Sequence, residues 1–347
     1  MDRIKENLKA LCSASGVSGY EFEVAKIAAD LLRQYTDDVH TDDFGNAVGV
    51  IHSKKPDAPT VLLDAHLDEV GMIVTSIDDK GFLKFDKCGG LDKRILAGQH
   101  VVIHGKKDLP AVVGSLAPHL EKKEDRLKIG EIKEMYIDAG LTKEQAEELI
   151  PVGSRITARY YFDELLNDRV SCKALDDRTG VACILETLEL LKGKDLDVNV
   201  AVEFSGREET GGQGATIAAY NLNPDISIAV DVSFAYTPDV PKHKCFDLGQ
   251  GAIIGVSAAL DQRLVDQLIE IAKAKDIPYQ IEVMGSSTGT NSDKITILRG
   301  GIRPCVISIP QRFMHTPVEV IDLNDVVASA RLMAEFIMKA GELNVLR

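Results

Sequence analysis

The chain has 347 residues, enough for one large domain or two smaller ones around a sizeable core. Its composition, 45% hydrophobic and 27% charged, is that of a globular protein, and no apolar run approaches the roughly 18 residues that a membrane span requires. A formal net charge of −14 argues against a nucleic-acid partner, because phosphate backbones are held by basic patches that release counterions.

The opening segment MDRIKENLKALCSASG scatters charges through its apolar positions, so no secretory signal is expected and a cytoplasmic location follows. Six cysteines lie far apart with no C-x-x-C pair, in a chain large enough not to need staples; free thiols are expected. Ser18-Gly-Tyr-Glu21 has the spacing of a capping box, and Val24, Ile27, Ala28, Leu31 and Leu32 repeat at helical spacing, which predicts a helix to about residue 35. The apolar run at 60–65, preceded by Pro59, predicts a buried strand.

Between residues 70 and 167 the texture changes to short β-rich runs broken by turn sequences at 78–81, 88–90 and 105–108. This predicts a small β domain inserted into a discontinuous α/β domain made of 1–69 and 168–347. In the second part, Ile184, Leu185, Leu188 and Leu191 mark a helix face, and strand-like runs follow at 198–204, 226–232 and 305–309. A closing helix is expected at 323–343. Strands alternating with helices imply an α/β fold, a three-layer sandwich with a mainly parallel sheet.

Five places carry residues suited to chemistry. His66 and Asp68 follow the first apolar strand, two residues apart and so on one side of it, and a carboxylate beside a metal-binding imidazole fixes its tautomer. Asp176-Asp177 opens a helix, where paired acids serve either as caps or as a carboxylate bridging two cations. Glu208-Glu209, before glycine-rich backbone, are costly to hold together unless cations or protons separate their roles. Asp231 ends the run ISIAVD, and His315 follows CVISI at 305–309.

In an open α/β sheet, ligands bind beyond the carboxyl ends of the strands; His66, Glu208-Glu209, Asp231 and His315 fall at or shortly beyond such ends, and Asp176 opens a helix that could border the same edge. Two imidazoles and three carboxylates (His66, Asp176, Glu209, Asp231, His315) suit a pair of divalent ions such as Zn²⁺, Co²⁺ or Mn²⁺.

Taken together, HLDEVG at 66–71, GQHV at 98–101, APHL at 117–120, ALDDRTG at 174–180, EETGGQGA at 208–215, GTNSD at 289–293 and ISIPQRFMHTPVEV at 307–320 resemble the M42 family of metallo-aminopeptidases. That family includes TET peptidases, glutamyl aminopeptidases and members labelled cellulase M, and the resemblance spans nearly the whole chain. It implies a zinc-exopeptidase-like fold and two divalent metal ions per subunit, zinc or cobalt. One would be held by His66, Asp176 and Asp231, the other by Asp176, Glu209 and His315, with Asp176 as the bridge.

The resemblance further implies that Asp68 orients His66, that Glu208 is the general base, and that the Asp176–Asp177 peptide is cis. The inserted segment would be a dimerisation domain, making the protein a homo-oligomer, often a dodecamer, that acts on peptide substrates. Thr210, Asn291-Ser292-Asp293, Phe313 and Thr316 depart from the family's usual residues without removing a ligand. Another di-metal exopeptidase or deacylase shares this ligand logic, a glycoside hydrolase would need only two carboxylates, and a scaffold would need neither. Lys93, Arg94 or Arg312 could select acidic substrate side chains, or serve structure alone.

Overall fold

The computed structural model describes the chain except residues 118, 121–128, 239 and 343–347. Pro118 of the 117–120 element and Leu343 at the end of the expected closing helix therefore lie outside the described residues. Helices α1 (Asp2–Ser13) and α2 (Phe22–Leu32) open the chain, followed by strands β1 (Val39–Thr41), β2 (Ala47–Ile51) and β3 (Thr60–His66). Six strands then close into a barrel: β4 (Gly71–Ile77), β5 (Leu83–Cys88), β6 (His100–His104), β7 (Asp108–Gly114), β8 (Tyr136–Asp138) and β9 (Arg155–Ala158), with α3 (Lys143–Leu149) before the last.

The barrel has its own core, which includes Val74, Leu83, Ile103, Ile137 and Ile156. It is shorter than the expected insertion at 70–167: β10 (Phe162–Leu165) leaves it and pairs with β11 (Arg169–Cys172) in the large sheet. The chain continues through α4 (Leu175–Leu191), β12 (Asn199–Ser205), α5 (Gln213–Leu222), β13 (Ile226–Phe234), β14 (Ala252–Ser257), α6 (Gln262–Ala274) and β15 (Tyr279–Met284). Helix α7 (Ser292–Ile295), strands β16 (Arg303–Arg312) and β17 (Glu319–Asp322), and helix α8 (Leu323–Ala340) complete it.

The large sheet runs β1-β2-β12-β3-β13-β16-β17-β11-β10, with β14 on β16 and β15 on β14. Its centre is parallel (β12, β3, β13, β16), as is the β14–β15 pair. The flanks are antiparallel, so the sheet is mixed where a mainly parallel one was expected. Short connections such as those between β10 and β11 or β16 and β17 can join only antiparallel neighbours, and periodicity within a strand does not report the direction of its partner.

Strand alternation explains how β3 serves both structure and site. Val61, Leu63 and Ala65 pack into the main core with α1, α2, α4, α6 and α8. Leu62 packs on the opposite face with Ala215 of α5 and Ile295 of α7, and Asp64 and His66 follow it on that side. The Ser18–Glu21 spacing does not produce a capping box: α2 starts at Phe22 with no side-chain cap and ends at Leu32, short of residue 35. Ser18 Oγ lies 2.6 Å from Thr210 Oγ1, and Glu21 accepts from the backbone N–H groups of Gly19 and Arg207 at 2.6 and 3.0 Å. Both side chains are spent on the approach to the Glu208 loop instead of on the helix end. All six cysteines are free thiols. Among the described residues no helix is long and apolar enough to cross a membrane.

Glu203 on β12 stands in register with Asp64 on β3; both are buried, and neither Glu203 carboxylate oxygen has a hydrogen-bond partner among the described residues. Burial, with Asp64 and Asp42 adding repulsion, pushes the Glu203 carboxyl well above its ordinary value. A group that keeps its proton in the fold but not in the open chain contributes its full stability below the unfolded pKa of about 4.5. That contribution is lost as pH rises towards the folded value. Glu203→Gln is therefore expected to match wild type near pH 4 and to unfold at a higher temperature at pH 9, with a gain of about 1–3 kcal/mol. Thermal scans across that range check it, and coincident midpoints at pH 9 would contradict it.

Candidate metal centre

Each residue singled out for chemistry reaches one end of the large sheet by its own route. β3 ends on His66, and β12 ends one register position alongside it at Ser205, so the chain turns into the Glu208-Glu209 loop beside that imidazole. Asp231 lies inside β13, which continues to Phe234, two residues past the predicted end at 232. His315 sits three residues past β16, in a turn that gives it a positive φ of 62°. Asp176 stands in the non-helical opening of α4, where the Asp176–Asp177 peptide is cis.

These routes bring all five side chains together. His66, Asp176 and Asp231 offer one group of ligand atoms lying within 4.8 Å of one another, and Asp176, Glu209 and His315 offer a second. Asp176 belongs to both: its Oδ1 is 3.1 Å from His66 Nε2 and its Oδ2 is 3.3 Å from His315 Nε2. Glu209 Oε1 lies 3.2 Å from the same His315 nitrogen. His66, Asp176 and Asp231 are each no more than 8% exposed.

Whether this set fits metal ions can be read from the ring nitrogens that point away. His66 Nδ1 lies 3.0 Å from the backbone carbonyl oxygen of Asp68, and His315 Nδ1 lies 3.1 Å from that of Gly90. A carbonyl oxygen can only accept, so each Nδ1 carries a proton and each Nε2 directs its remaining valence at carboxylate oxygens. A lone pair facing a carboxylate at these distances is repulsive unless a positive charge stands between them.

The charges around the imidazoles make the same demand. Burial alone would lower both histidines, yet the bonds to Asp176, and to Asp68 or Glu209, raise His66 well above its ordinary value and His315 to about 11. Asp231 and Glu209 are raised, first by burial. Asp176 is lowered, because the two imidazoles outweigh its burial. The cluster thus favours cationic charge among its ligands, and this donor set fits a pair of divalent ions.

Glu208 lines the same 400 Å³ cavity as the cluster without belonging to either ligand group. Burial pushes its carboxyl up to about 7. The carboxylate of Asp68 accepts the backbone N–H groups of Glu208 and Glu209 at 2.9 and 3.1 Å, so one buried acid pins both glutamates while its own carbonyl orients His66.

The sequence profile described as M42 glutamyl aminopeptidase matches residues 45–332. The chain belongs to the M42 peptidase family. It is 32% identical over 333 residues to the lysyl aminopeptidase of Pyrococcus furiosus, covering 94% of either chain. Its fold matches the crystal structure of a TET aminopeptidase from a marine sediment archaeon, Thaumarchaeota archaeon SCGC AB-539-E09, with a TM-score of 0.94 and 32% identity, over 99% of this chain and 98% of that one. The TET1 peptidase of Pyrococcus horikoshii, described as assembling into a tetrahedron or a large octahedral shell, superposes with a TM-score of 0.84 and 29% identity, over 97% and 99% of the two chains. An M42 peptidase of this kind is a hydrolase of aminopeptidase activity. The glutamyl and lysyl labels differ, so family membership does not name the substrate side chain.

Several residues of this M42 peptidase act around the cluster without having been assigned a role from sequence. Glu319 accepts the backbone N–H of Asp176 at 3.2 Å through Oε2 and that of His315 at 3.0 Å through Oε1, tying the two regions together. Asp177 accepts the His66 amide at 3.3 Å and the Gly180 amide at 3.1 Å. Buried Glu69 binds Lys173 at 2.7 Å and Arg178 at 3.2 Å, next to the loop that carries Asp68. Gly90 comes from the barrel, and a Cβ there would stand 2.5 Å from His315 Nδ1, which explains the Cys-Gly-Gly at 88–90. Adjacency to a motif was the signal available for Glu69, Asp177 and Glu319; nothing in the sequence couples Gly90 to a residue 225 positions away.

Proposed function

We propose that this aminopeptidase is a di-metal enzyme in which His66, Asp176 and Asp231 hold one ion, Asp176, Glu209 and His315 hold the other, and Glu208 is the general base. The reading rests on one observation: the two candidate ligand groups share a single carboxylate, Asp176. A divalent pair bound there supplies acidified water and stabilisation of the oxyanion that forms when a peptide carbonyl is attacked. Zinc and cobalt suit the nitrogen and oxygen donors.

The chain's own residues do the rest. Glu208 removes the proton of the attacking water and delivers it to the leaving amine, a task that favours a base poised near neutrality. Asp68 is a positioning residue: its carboxylate holds the Glu208 and Glu209 amides and its carbonyl holds His66. Glu319 keeps Asp176 and His315 at a fixed separation through their backbones. The acidic surroundings favour a free α-ammonium at the peptide's N-terminus.

Helices on both faces of the sheet support reading the α/β part as a three-layer sandwich. The barrel, with its separate core, is read as a dimerisation module, and likeness to the TET1 peptidase of Pyrococcus horikoshii supports a homo-oligomer.

Chelation should lower hydrolysis of leucine p-nitroanilide by about 10²-fold or more, and added Co²⁺ or Zn²⁺ should restore it. N-acetyl-leucine p-nitroanilide should remain uncleaved throughout. Chelator-insensitive turnover would overturn the metal reading, and cleavage of the blocked substrate would point to an endopeptidase or deacylase.

A further inference from the structure

The cavity beside the metal cluster holds one acid that neither the ligand set nor the general base employs. Asp231 and Ser233 lie two residues apart on β13 and so share a face, about 6–7 Å apart along the strand. Ser233 Oγ donates to Glu282 Oε1 at 2.9 Å, holding the half-buried Glu282 carboxylate of β15 in the cavity that the cluster also lines. Phe234 and Met314 also line this cavity, and among the described residues no lysine or arginine does.

The three basic residues that sequence alone offered for binding acidic substrates are engaged elsewhere. Lys93 pairs with Glu131, Arg94 with Asp92, and Arg312 Nε donates to the Tyr236 carbonyl at 2.8 Å. Burial raises the Glu282 carboxyl, with only the Ser233 hydroxyl opposing. Among the described residues its charge has no cationic partner, and it would gain one from a ligand.

We propose that Glu282, held by Ser233, is the specificity-determining group of this peptidase and receives the cationic side chain of an N-terminal lysine or arginine. The assignment rests on the aminopeptidase reading above. The methylenes of such a side chain run along Phe234 and Met314, and its charged end meets Glu282. The α-ammonium of the same residue stays close to the scissile carbonyl and the acid cluster, two residues back along β13 from the Ser233–Glu282 contact. An N-terminal glutamate would bring a second negative charge into the same space and is disfavoured.

The test is kcat/KM of the metal-loaded protein on lysine, arginine, leucine and glutamate p-nitroanilides, for wild type, Glu282→Gln and Ser233→Ala. Wild type should prefer lysine and arginine over leucine and glutamate by about 10-fold or more. Glu282→Gln should lower the two basic substrates by about 10- to 100-fold, the scale of a hydrogen bond to a charged group, and change leucine by less than about 3-fold. Ser233→Ala should produce a smaller loss of the same pattern. A wild type fastest on leucine or glutamate overturns the assignment alone, and so does a Glu282→Gln variant that loses leucine and lysine equally, since that places Glu282 on the α-ammonium or in the framework. Failure of the metal-loaded wild type on all four overturns the aminopeptidase reading and this assignment with it.

Discussion

Replacing Glu208 by glutamine is expected to lower kcat by about 10²–10⁴-fold, with metal content by elemental analysis unchanged at two ions per chain and KM altered little. Glutamine keeps the size of the side chain, and the Glu208 backbone N–H still donates to Asp68, so the loop should hold its path. What disappears is the carboxylate that takes and returns a proton. Because Glu208 belongs to neither ligand group, metal occupancy and turnover should separate in this variant. Wild-type turnover in Glu208→Gln would show that another group is the base. Loss of an ion along with activity would move Glu208 into the ligand set.

Asp176→Asn should have the other large effect, and a different one. Its two carboxylate oxygens face His66 and His315 separately, at 3.1 and 3.3 Å, so each candidate ion position draws on a different oxygen of one side chain. An amide offers one acceptor and directs hydrogens where the second acceptor stood, and it also removes the negative charge that two bound cations would share. Metal content is expected to fall below one ion per chain and peptide hydrolysis to background. Asp231→Asn and Glu209→Gln each touch one group only, so each should cost one ion more readily than two. Titration with Zn²⁺ or Co²⁺, read by calorimetry, checks the contrast. Two ions retained by Asp176→Asn at near wild-type Kd would refute the shared carboxylate.

The candidate ligand residues were legible because they sit where local patterning already had meaning. His66 follows an apolar run that reads as a strand, Asp176 opens a helical repeat, Glu208 and Glu209 follow the next strand, and His315 follows another. Each of those segments buries hydrophobic side chains at a period set by backbone geometry, and the observed elements β3, α4, β12 and β16 agree. The roles of Glu319 and Gly90, and the hold of the Asp68 carboxylate on the Glu208 and Glu209 amides, were not legible in the same way. Glu319 and Asp68 bind backbone amides of residues 4 to 143 positions away, and Gly90 offers its own carbonyl to the His315 ring 225 positions away; a backbone group leaves no residue-type signature at its end of the bond.

Two misreadings have the same origin. Ser18 and Glu21 have the spacing of a helix cap, but Thr210, and the backbone of Gly19 and Arg207, take their side chains instead, because a buried carboxylate near the active loop is better satisfied there than at an exposed helix end. Phe162–Leu165 has the short β texture of the barrel, but its partner is β11 of the large sheet. A strand's residues state that it will pair; they do not state with which neighbour.

By itself, the amino-acid order determined the α/β alternation, the β-rich character of the insertion and the residues able to hold metal, since these depend on side-chain period, turn chemistry and donor type along a local stretch of chain. Only the tertiary structure decided the mixed direction of the sheet, the two-sided use of Asp176, the reach of Gly90 from the barrel to His315, and the placement of Glu282 against Ser233. Those depend on which distant backbones come to lie side by side, a property of the packed sheet and barrel that no single segment encodes.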